Sequence, residues 1–324
     1  ILDDLTPLHQ IQAGMENEAA ALLAPRDAYR GLGGPVRINY WLSEVPEDGI
    51  KIDIVDGAGE VVRSYSSSAS SDMSSMLPAG MSLADVPPQF RRQLASAGGR
   101  IQPEAGMNQL TWNGRHEALF RRPRGIVMWG GGGTQGPKAI PGDYTVRMTV
   151  GDDVQEQSFT LAIDPRRDAT IADYESQYEL AVQVGNQVND LWTSLEGLRR
   201  VKGSIRQIGG RVRGQEGAQE IMALGREITA ELEEIEKVLT QVEGEGGQDA
   251  LNFPGRLDNQ WAALYSAASG PDTPLTAGVA QRYADLQPET DELMGRLAAV
   301  YSGPLAELNN RIAALNLDAI SIPE

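Results

Sequence analysis

Hydrophobic and polar residues alternate along the chain from Val36 onward, which is the pattern of strands that bury one face. In IKIDIVD, which begins at residue 50, the three isoleucines share one face, while the lysine and the first aspartate share the other. The turn DGAG at residues 56–59 follows, and EVVRSY returns as a partner strand. The pattern therefore predicts a β-hairpin at this point.

The same alternation returns in four later segments, which are NQLTWNGR, GIVMW, GDYTVRMTV and VQEQSFTLAID. Each segment is short and is bounded by glycine, proline, asparagine or aspartate. Their spacing is typical of an antiparallel sandwich. We therefore expect a β-sandwich over residues 36–166.

After Asp164-Pro165 the hydrophobic period changes from two to about 3.6 residues, which indicates helices. A first amphipathic helix runs from Ile171 to the glycines of SIRQIGGRVRGQEG, and a second runs from about Ala218 to Val242. Further helical stretches follow near residues 257–268, 275–300 and 304–315. Together they predict an α-helical bundle over residues 167–324.

Two other segments have little core of their own. Residues 1–35, with prolines at positions 7, 25 and 35, predict an extended N-terminal arm with at most one or two helical turns. Residues 64–110 form a long insertion rich in serine, glycine and proline. Because such tracts bury too little apolar surface to offset their chain entropy, we expect a partner surface to order them, together with the glycine-rich loop.

Composition narrows the classes of partner. The chain of 324 residues carries a formal net charge of −17, which argues against nucleic acid because binding there depends on lysine and arginine. It has no cysteine, so disulfides and thiolate metal sites are excluded. No stretch approaches 18 uninterrupted apolar residues, so no membrane span is predicted. Because the chain begins at Ile1 without a signal sequence, we expect a mature or trimmed product.

The stretch GGGGTQGPKAIPGDY at residues 130–144 raises the question of a phosphate-binding loop. Such a loop needs G-x-x-x-x-G-K-[ST], and here Pro137 separates Gly136 from Lys138, while Ala139 replaces the hydroxyl residue. The proline removes a backbone donor, and the residues that follow predict a strand rather than a helix. We therefore predict a glycine-rich connection between two strands.

The two histidines, His9 and His116, give little support to metal or hydrolase chemistry. Neither has a second ligand at helical spacing, so we expect structural or solvated histidines rather than metal ligands. No G-x-S-x-G motif is present to carry the nucleophile of a Ser-His-Asp hydrolase. A hydrolase is therefore not the favoured reading of these residues.

Two charged clusters accompany the helices. We interpret the acidic cluster as the solvated face of an amphipathic helix rather than a catalytic pair of carboxylates. The basic cluster has two interpretations, which are favourable pairing with a helix C-terminus and a docking patch for an acidic partner. The acidic cluster comprises Glu231, Glu233, Glu234 and Glu236, and the basic cluster comprises Arg199, Arg200, Lys202, Arg206, Arg211 and Arg213.

Four motifs in a fixed order, APRDAYR, TWNGR, AIPGDYTVRMTVGDDVQEQSFTLAIDPR and LNFPGRLDNQWAAL, resemble the region after the β-propeller in bacterial sortilin-like, BNR-repeat proteins. The resemblance covers nearly all of the chain and implies an immunoglobulin-like sandwich followed by a helical bundle. Any glycosidase or ligand-binding activity of that family would lie in propeller blades, which residues 1–324 do not contain. No catalytic residue is therefore carried over.

The chain also resembles a periplasmic accessory subunit of a phototrophic bacterial reaction-centre and light-harvesting complex. No C-x-x-C-H motif is present, so we do not expect the chain itself to attach c-type haem. No residue of the sequence indicates a pigment site.

These observations lead to one expected architecture, a multidomain α+β chain. It consists of an N-terminal arm (1–35), an immunoglobulin-like antiparallel β-sandwich (36–166) and an α-helical bundle (167–324). We expect a non-catalytic, periplasmic or otherwise exported subunit that docks on protein partners in a larger, membrane-associated assembly such as a photosynthetic reaction-centre complex. The alternative is a C-terminal fragment of a propeller-type glycoside hydrolase or sortilin-like enzyme. No catalytic, cofactor-binding or metal-binding residue is predicted.

Overall fold

A computed structural model of the chain describes residues 5–11, 13–31, 36–68, 99–123, 126, 134–243, 252–315 and 317–321. The statements that follow concern these residues. The serine-rich run at 69–98 and the glycine run at 127–133 lie outside them, so the expectation that a partner orders these tracts falls outside the described residues.

Helices and strands alternate in blocks along the chain. The helices are α1 (Thr6–Gln10), α2 (Ile171–Arg211), α3 (Ala218–Leu239), α4 (Leu257–Ser269), α5 (Ala277–Val300) and α6 (Ala306–Ala314), with a 3₁₀ turn at Met15–Asn17. The strands are β1 (Ala20–Leu22), β2 (Ala28–Tyr29), β3 (Val36–Leu42), β4 (Ile50–Asp56), β5 (Val61–Ser66), β6 (Gly106–Trp112), β7 (Gly142–Val150) and β8 (Asp153–Ala162).

The strands build two sheets. One sheet has the order β2-β8-β7-β4-β5 and is curled into a half-barrel, and the other has the order β1-β3-β6. The predicted hairpin of β4 and β5 is present. A second hairpin joins β7 to β8 through Gly151 and Asp152. Gly151 has a φ of 57°, in the left-handed region that glycine enters without steric cost.

The apolar faces of both sheets meet in one core. Trp112 of β6 is fully buried, and its ring centroid lies 5.3 Å from that of Tyr144 and 6.0 Å from that of Phe159. Its indole N–H donates to the carbonyl oxygen of Arg115 at 2.8 Å. A buried aromatic side chain of this kind contributes large apolar area while its polar atom stays hydrogen-bonded.

Two glutamines join the sheets where the apolar pattern of β8 is interrupted. Gln155 and Gln157 stand at the same alternating positions as the buried Phe159. The Gln155 side chain accepts a hydrogen bond from the N–H of Leu22 at 2.8 Å and donates to the carbonyl of Ala20 at 3.0 Å. Gln157 donates to the carbonyl of Leu22 at 3.3 Å. Side-chain amides thus hydrogen-bond the outer edge of β1 in place of another strand.

A buried ion pair lies directly after β2. The side chain of Arg30 is only 4% exposed, and its Nε lies 3.2 Å from Oδ1 of Asp272. Its Nη2 donates to Oε1 of Gln177 at 2.6 Å, and its guanidinium lies 4.2 Å from the ring centroid of Tyr174. Lys138 Nζ donates to the other oxygen of the same carboxylate at 2.8 Å. Burial lowers the pKa of Arg30, and the carboxylate of Asp272 opposes that shift.

The residue after Arg30 has to be glycine because the carboxylate of Asp272 lies close to its Cα. Gly31 has a φ of 76°, and a Cβ added to it would lie 2.2 Å from Oδ2 of Asp272. Any side chain at this position would therefore be strained and would displace the carboxylate.

Packing divides the chain into two compact units that are not consecutive in sequence. The strand unit comprises Ile1–Leu119, Thr134–Val182 and Ala268–Leu275, and the helical unit comprises Phe120–Gly133, Gln183–Ala267 and Thr276–Glu324. The domains expected at 1–35, 36–166 and 167–324 stay predictions, because contact density alone does not show which segments fold independently.

In the helical unit, α3 buries one apolar stripe, as its spacing predicts. Ile228, Leu232 and Ile235 on this stripe are almost completely buried. The last helices are continuous, because a π-helical segment at Tyr301–Leu305 connects α5 to α6. Pro304 within it lacks the N–H that an α-helix requires, and the wider turn accommodates it.

The expected immunoglobulin-like antiparallel β-sandwich followed by an α-helical bundle is wrong. The chain has mixed α/β content, with a curled half-barrel sheet and a separate three-stranded sheet. Strand β2 runs parallel to β8 and pairs Ala28 with Leu161, so the larger sheet is not wholly antiparallel. The physical reason is that alternation identifies a strand but not its partner, and the partner of β8 comes from the predicted arm.

Replacing Asp272 with asparagine tests the buried ion pair. The change removes the charge that compensates Arg30 and Lys138, so we expect the free energy of unfolding to fall by roughly 3 kcal/mol. Urea denaturation followed by circular dichroism measures the loss. Asp285→Asn, at an exposed position of α5, is the matched control and should cost less than about 0.5 kcal/mol. Equal losses in the two variants would contradict this account of the pair.

Gln155→Met tests the link between the sheets, because it keeps the side-chain length but leaves backbone groups of Leu22 and Ala20 without that partner. Each unsatisfied group costs about 1–3 kcal/mol, so we expect a loss of roughly 2 kcal/mol in chemical denaturation. The neighbouring Glu156→Met is the control, since its ion pair with Arg147 is exposed and contributes at most about 1 kcal/mol. An effect of Gln155→Met no larger than that of the control would refute the link.

Candidate functional site

The lysine that follows the glycine-rich run binds a carboxylate of the protein itself. Lys138 is 17% exposed, and burial lowers its pKa while the hydrogen bond with Asp272 opposes that shift. Gly136 packs against backbone, since a Cβ added there would lie 2.1 Å from the carbonyl oxygen of His116. The N–H of His116 donates to the carbonyl of Pro137 at 2.9 Å. Lys138 is therefore held inside the strand unit rather than presented to a phosphate.

The two histidines have different surroundings. His9 lies at the exposed end of α1. His116 stacks on Tyr178 with ring centroids 4.6 Å apart, and its Nδ1 lies 3.4 Å from the Tyr178 hydroxyl. Burial lowers the pKa of His116 to about 4, so the ring is neutral at neutral pH. Within the described part of the chain, no group of three or more histidines and carboxylates is placed to hold a metal ion.

Each carboxylate of the acidic cluster on α3 is paired with a cation of the protein. Glu231 binds Arg296 at 2.8 Å, and Glu234 binds Lys237 at 2.6 Å, with all four side chains well exposed to solvent. Exposed pairs of this kind contribute little to stability. Two other members of the cluster share one cation, since Nζ of Lys202 lies 3.5 Å from Glu233 and 2.9 Å from Glu236.

Glu236 is the buried member of that cluster. Its carboxylate accepts hydrogen bonds from Nε of Arg199 at 2.6 Å and from Nζ of Lys202 at 2.9 Å. Burial alone would raise the pKa of Glu236, but the hydrogen bonds from Lys202 and Arg199 outweigh it, and the net pKa is lowered. These bonds join the second half of α2 to α3 and use two cations of the predicted basic cluster.

The other cations of that cluster form no ion pair within the described part of the chain. Arg206 and Arg213 line a groove together with Arg226, a residue of α3 outside the predicted cluster. All three are exposed and form no ion pair with a described residue. Arg200 and Arg211 do not line the groove. Tertiary structure thus pairs Arg199 and Lys202 with Glu236, although Lys202 also lines the groove, and it places two further cations of the cluster in the groove and two outside it.

The groove has a volume of about 460 Å³ and lies between the last turns of α2 and the part of α3 from Ile221 to Glu233. Glu233 is its lining carboxylate, and it lies 3.5 Å from Lys202. Such a combination of an apolar floor and a cationic rim suits an amphipathic segment with the opposite charge. The apolar side chains of the floor are Ile205, Ile208, Ile221, Met222, Ala230 and Leu308.

Glycines shape both the wall and the floor of the groove. A Cβ added to Gly209 or Gly210 of α2 would meet no atom within 4 Å, so the wall is open there. A Cβ on Gly225 of α3 would lie 2.9 Å from Cγ2 of Ile205, so this glycine permits the close approach of the two helices. Glycine inside a helix costs about 1 kcal/mol relative to alanine. The open pair therefore reduces helix stability without a packing gain among the described residues.

Spacing along α3 could have indicated Arg226. Met222, Arg226 and Glu233 follow one another at helical intervals beside the buried stripe, so they share a face of the helix. The interval alone does not show that α2 leaves this face open.

Comparisons with protein-family models and with curated proteins find no match for this chain. The functional argument therefore depends on the geometry of the described residues. None of the helices there combines the length and the apolar character needed to cross a bilayer.

His116→Gln tests the buried imidazole through the pH dependence of stability. The folded pKa of about 4 lies below the ordinary value of 6.5, so His116 stabilises the fold fully above pH 6.5 and loses this contribution as the pH falls toward 4. We expect the wild type to lose roughly 2–3 kcal/mol more than the variant across this window. Urea denaturation at a series of pH values measures the difference, and the exposed His9→Gln is the control. Parallel profiles for wild type and His116→Gln would contradict the prediction.

Proposed function

We propose that this chain is a non-catalytic, exported interaction subunit that docks on a larger assembly. The observation that supports the proposal is the groove of the helical unit, where Arg206, Arg213 and Arg226 lie above an apolar floor and form no ion pair with any residue that the structure describes. The occupant is an acidic amphipathic segment of a partner protein. Its apolar side chains occupy the floor, and its carboxylates meet the three guanidinium groups.

The two parts of the groove contribute differently to binding. Apolar contact stabilises the complex by about 25 cal/mol per Å² of buried surface, before the cost of ordering both partners. Arginine binds carboxylates through two parallel hydrogen bonds, which set the position of the segment. Each pair at an exposed rim adds little, but it becomes stronger once the partner excludes water. The floor thus supplies affinity, and the arginines supply orientation and selectivity for charge.

The charge of the whole protein makes the groove more selective. With a formal net charge of −17, the chain as a whole repels an acidic partner at long range. At physiological salt this repulsion is screened beyond about 8 Å, whereas close pairs within the groove are screened less. The acidic segment is therefore attracted to the groove and not to the rest of the surface.

The resemblance to an accessory subunit of reaction-centre and light-harvesting complexes suggests where the partner is found. We propose a periplasmic, membrane-associated assembly of photosynthetic type as the docking site. Cross-linking from a photoreactive residue at Gly210 in a native envelope preparation identifies the partner segment. A cross-linked segment without acidic residues would overturn the proposed chemistry.

Charge reversal of the rim tests the groove directly. The probe is a synthetic amphipathic helix of about 14 residues with leucines on one face and glutamates on the other, and its binding is measured by fluorescence anisotropy. We expect the combined Arg206→Glu, Arg213→Glu and Arg226→Glu variant to weaken binding at least about tenfold, because three attractive pairs become repulsive. A version of the peptide with lysine for glutamate should not bind the wild type.

The matched control reverses Arg26, Arg200 and Arg211, which changes the net charge equally outside the groove. It should leave binding close to that of the wild type at physiological salt. If both triple variants lose the same affinity, net charge rather than the groove explains the binding, and the proposal fails.

A steric variant separates occupancy of the groove from its charge. Gly210→Leu places a side chain into the open wall, where its Cβ meets no atom within 4 Å, and leucine favours the helix by about 0.8 kcal/mol. We expect stability to rise and peptide binding to fall. Gly203→Leu is the control, since it is equally open on α2 but does not line the groove. Equal binding by the two variants would place the peptide elsewhere.

A further inference from the structure

A separate cavity lies in the strand unit. Its volume is about 260 Å³, and its walls are the β4–β5 turn at Asp56, the start of β7 at Asp143 and Tyr144, and the rings of His116 and Tyr178. All of these residues belong to the strand unit. The cavity is therefore independent of the groove in the helical unit and of the function proposed for it.

Each of the two carboxylates in the wall uses one oxygen for structure. Oδ1 of Asp56 accepts the N–H groups of Ala58 and Glu60, both at 2.9 Å. Oδ1 of Asp143 accepts the hydroxyl of Thr160 at 2.8 Å. The second oxygen of each carboxylate has no hydrogen bond or ion pair with a described residue. The lining includes neither lysine nor arginine, so two negative charges face the cavity without a lining cation.

Aromatic rings form the other wall. His116 and Tyr178 are stacked at a tilt of 40°. The ring of Tyr144 is held in place because its hydroxyl donates to the carbonyl of Ile140 at 2.5 Å. Aromatic faces attract cations, and the attraction increases where water is excluded. The neutral imidazole of His116 adds no positive charge that would oppose a cationic ligand.

We propose that this cavity binds a monoalkylammonium group, which is either a small free amine or the end of a lysine side chain. The ammonium donates hydrogen bonds to the free oxygens of Asp56 and Asp143, and the alkyl chain lies against the rings of His116 and Tyr178. The cavity is slightly smaller than the pockets of about 300–1,000 Å³ that hold drug-sized ligands, which suits a short chain with a single charged end.

Titration of the full chain with n-butylamine at neutral pH, followed by calorimetry, tests the proposal, with 1-butanol as an uncharged ligand of the same shape. We expect saturable millimolar binding of the amine and at least about tenfold weaker binding of the alcohol. Asp56→Asn and Asp143→Asn should each weaken amine binding about tenfold, because each removes one charged acceptor. Asparagine keeps the Oδ1 acceptor that holds the local structure, so both variants should retain the far-ultraviolet spectrum of the wild type.

Asp152→Asn is the matched control, since Asp152 is exposed in the β7–β8 turn and does not line the cavity. It should bind n-butylamine like the wild type. N-acetyl-lysine amide distinguishes the two sources of the group: tighter binding than that of n-butylamine assigns the site to a lysine side chain, and weaker binding assigns it to a free amine. Absence of saturable binding for both amines, equal binding of 1-butanol, or unchanged binding by both cavity variants would overturn the proposal.

Discussion

The strand unit depends on the burial of one guanidinium group, that of Arg30. A buried charge has to be paired, and the pairing costs little only when every partner is well placed. Asp272, Gln177 and Tyr174 surround the guanidinium from segments that lie far from Arg30 in sequence, but only Nη2 of Arg30 is hydrogen-bonded, to Gln177, while the buried Nε and Nη1 have no hydrogen-bond partner among the described residues. The first turns of α2 and the segment Ala268–Leu275 consequently belong to the strand unit, although most of their sequence neighbours belong to the helical unit.

In the helical unit, some charged side chains are buried in ion pairs and others are exposed beside the groove. Glu236 is buried and bound by Arg199 and Lys202, so these three groups stabilise the α2–α3 hairpin and are unavailable to a partner. Arg206 and Arg213, only a few residues further along α2, are exposed beside an apolar floor. The sequence of α3 explains why the two pairs of cations differ. It supplies a buried carboxylate opposite Arg199 and Lys202, but mainly small or apolar residues opposite Arg206 and Arg213. The groove thus begins at the last cation of α2 that pairs with Glu236.

The two proposed sites select ligands of opposite charge by the same physical means. In each, charged groups that form no ion pair with a described residue lie beside surface that gains from apolar or aromatic contact. The groove offers arginines to carboxylates, and the cavity beside His116 offers the carboxylates of Asp56 and Asp143 to a cation. Both proposed sites combine fixed charge with a concave shape. Because they lie in different units, occupancy of one can be changed by substitution without altering the residues of the other.

Side-chain periodicity, which is a local property of the sequence, was enough to predict which segments form strands and helices. The isoleucines of β4 and the apolar stripe of α3 could be read from spacing alone, and the basic residues Arg206 and Arg213 were visible as part of a cluster. Pairing could not be read in this way, because it depends on contacts between distant residues. The parallel pair of β2 with β8 made the predicted sandwich wrong, and the ion pair between Lys138 and Asp272 has no counterpart in local sequence. The sequence by itself therefore determined which segments are strands and helices. The tertiary structure alone decided how they pair and which charges remain free to bind, since only the folded chain shows which charges have found partners.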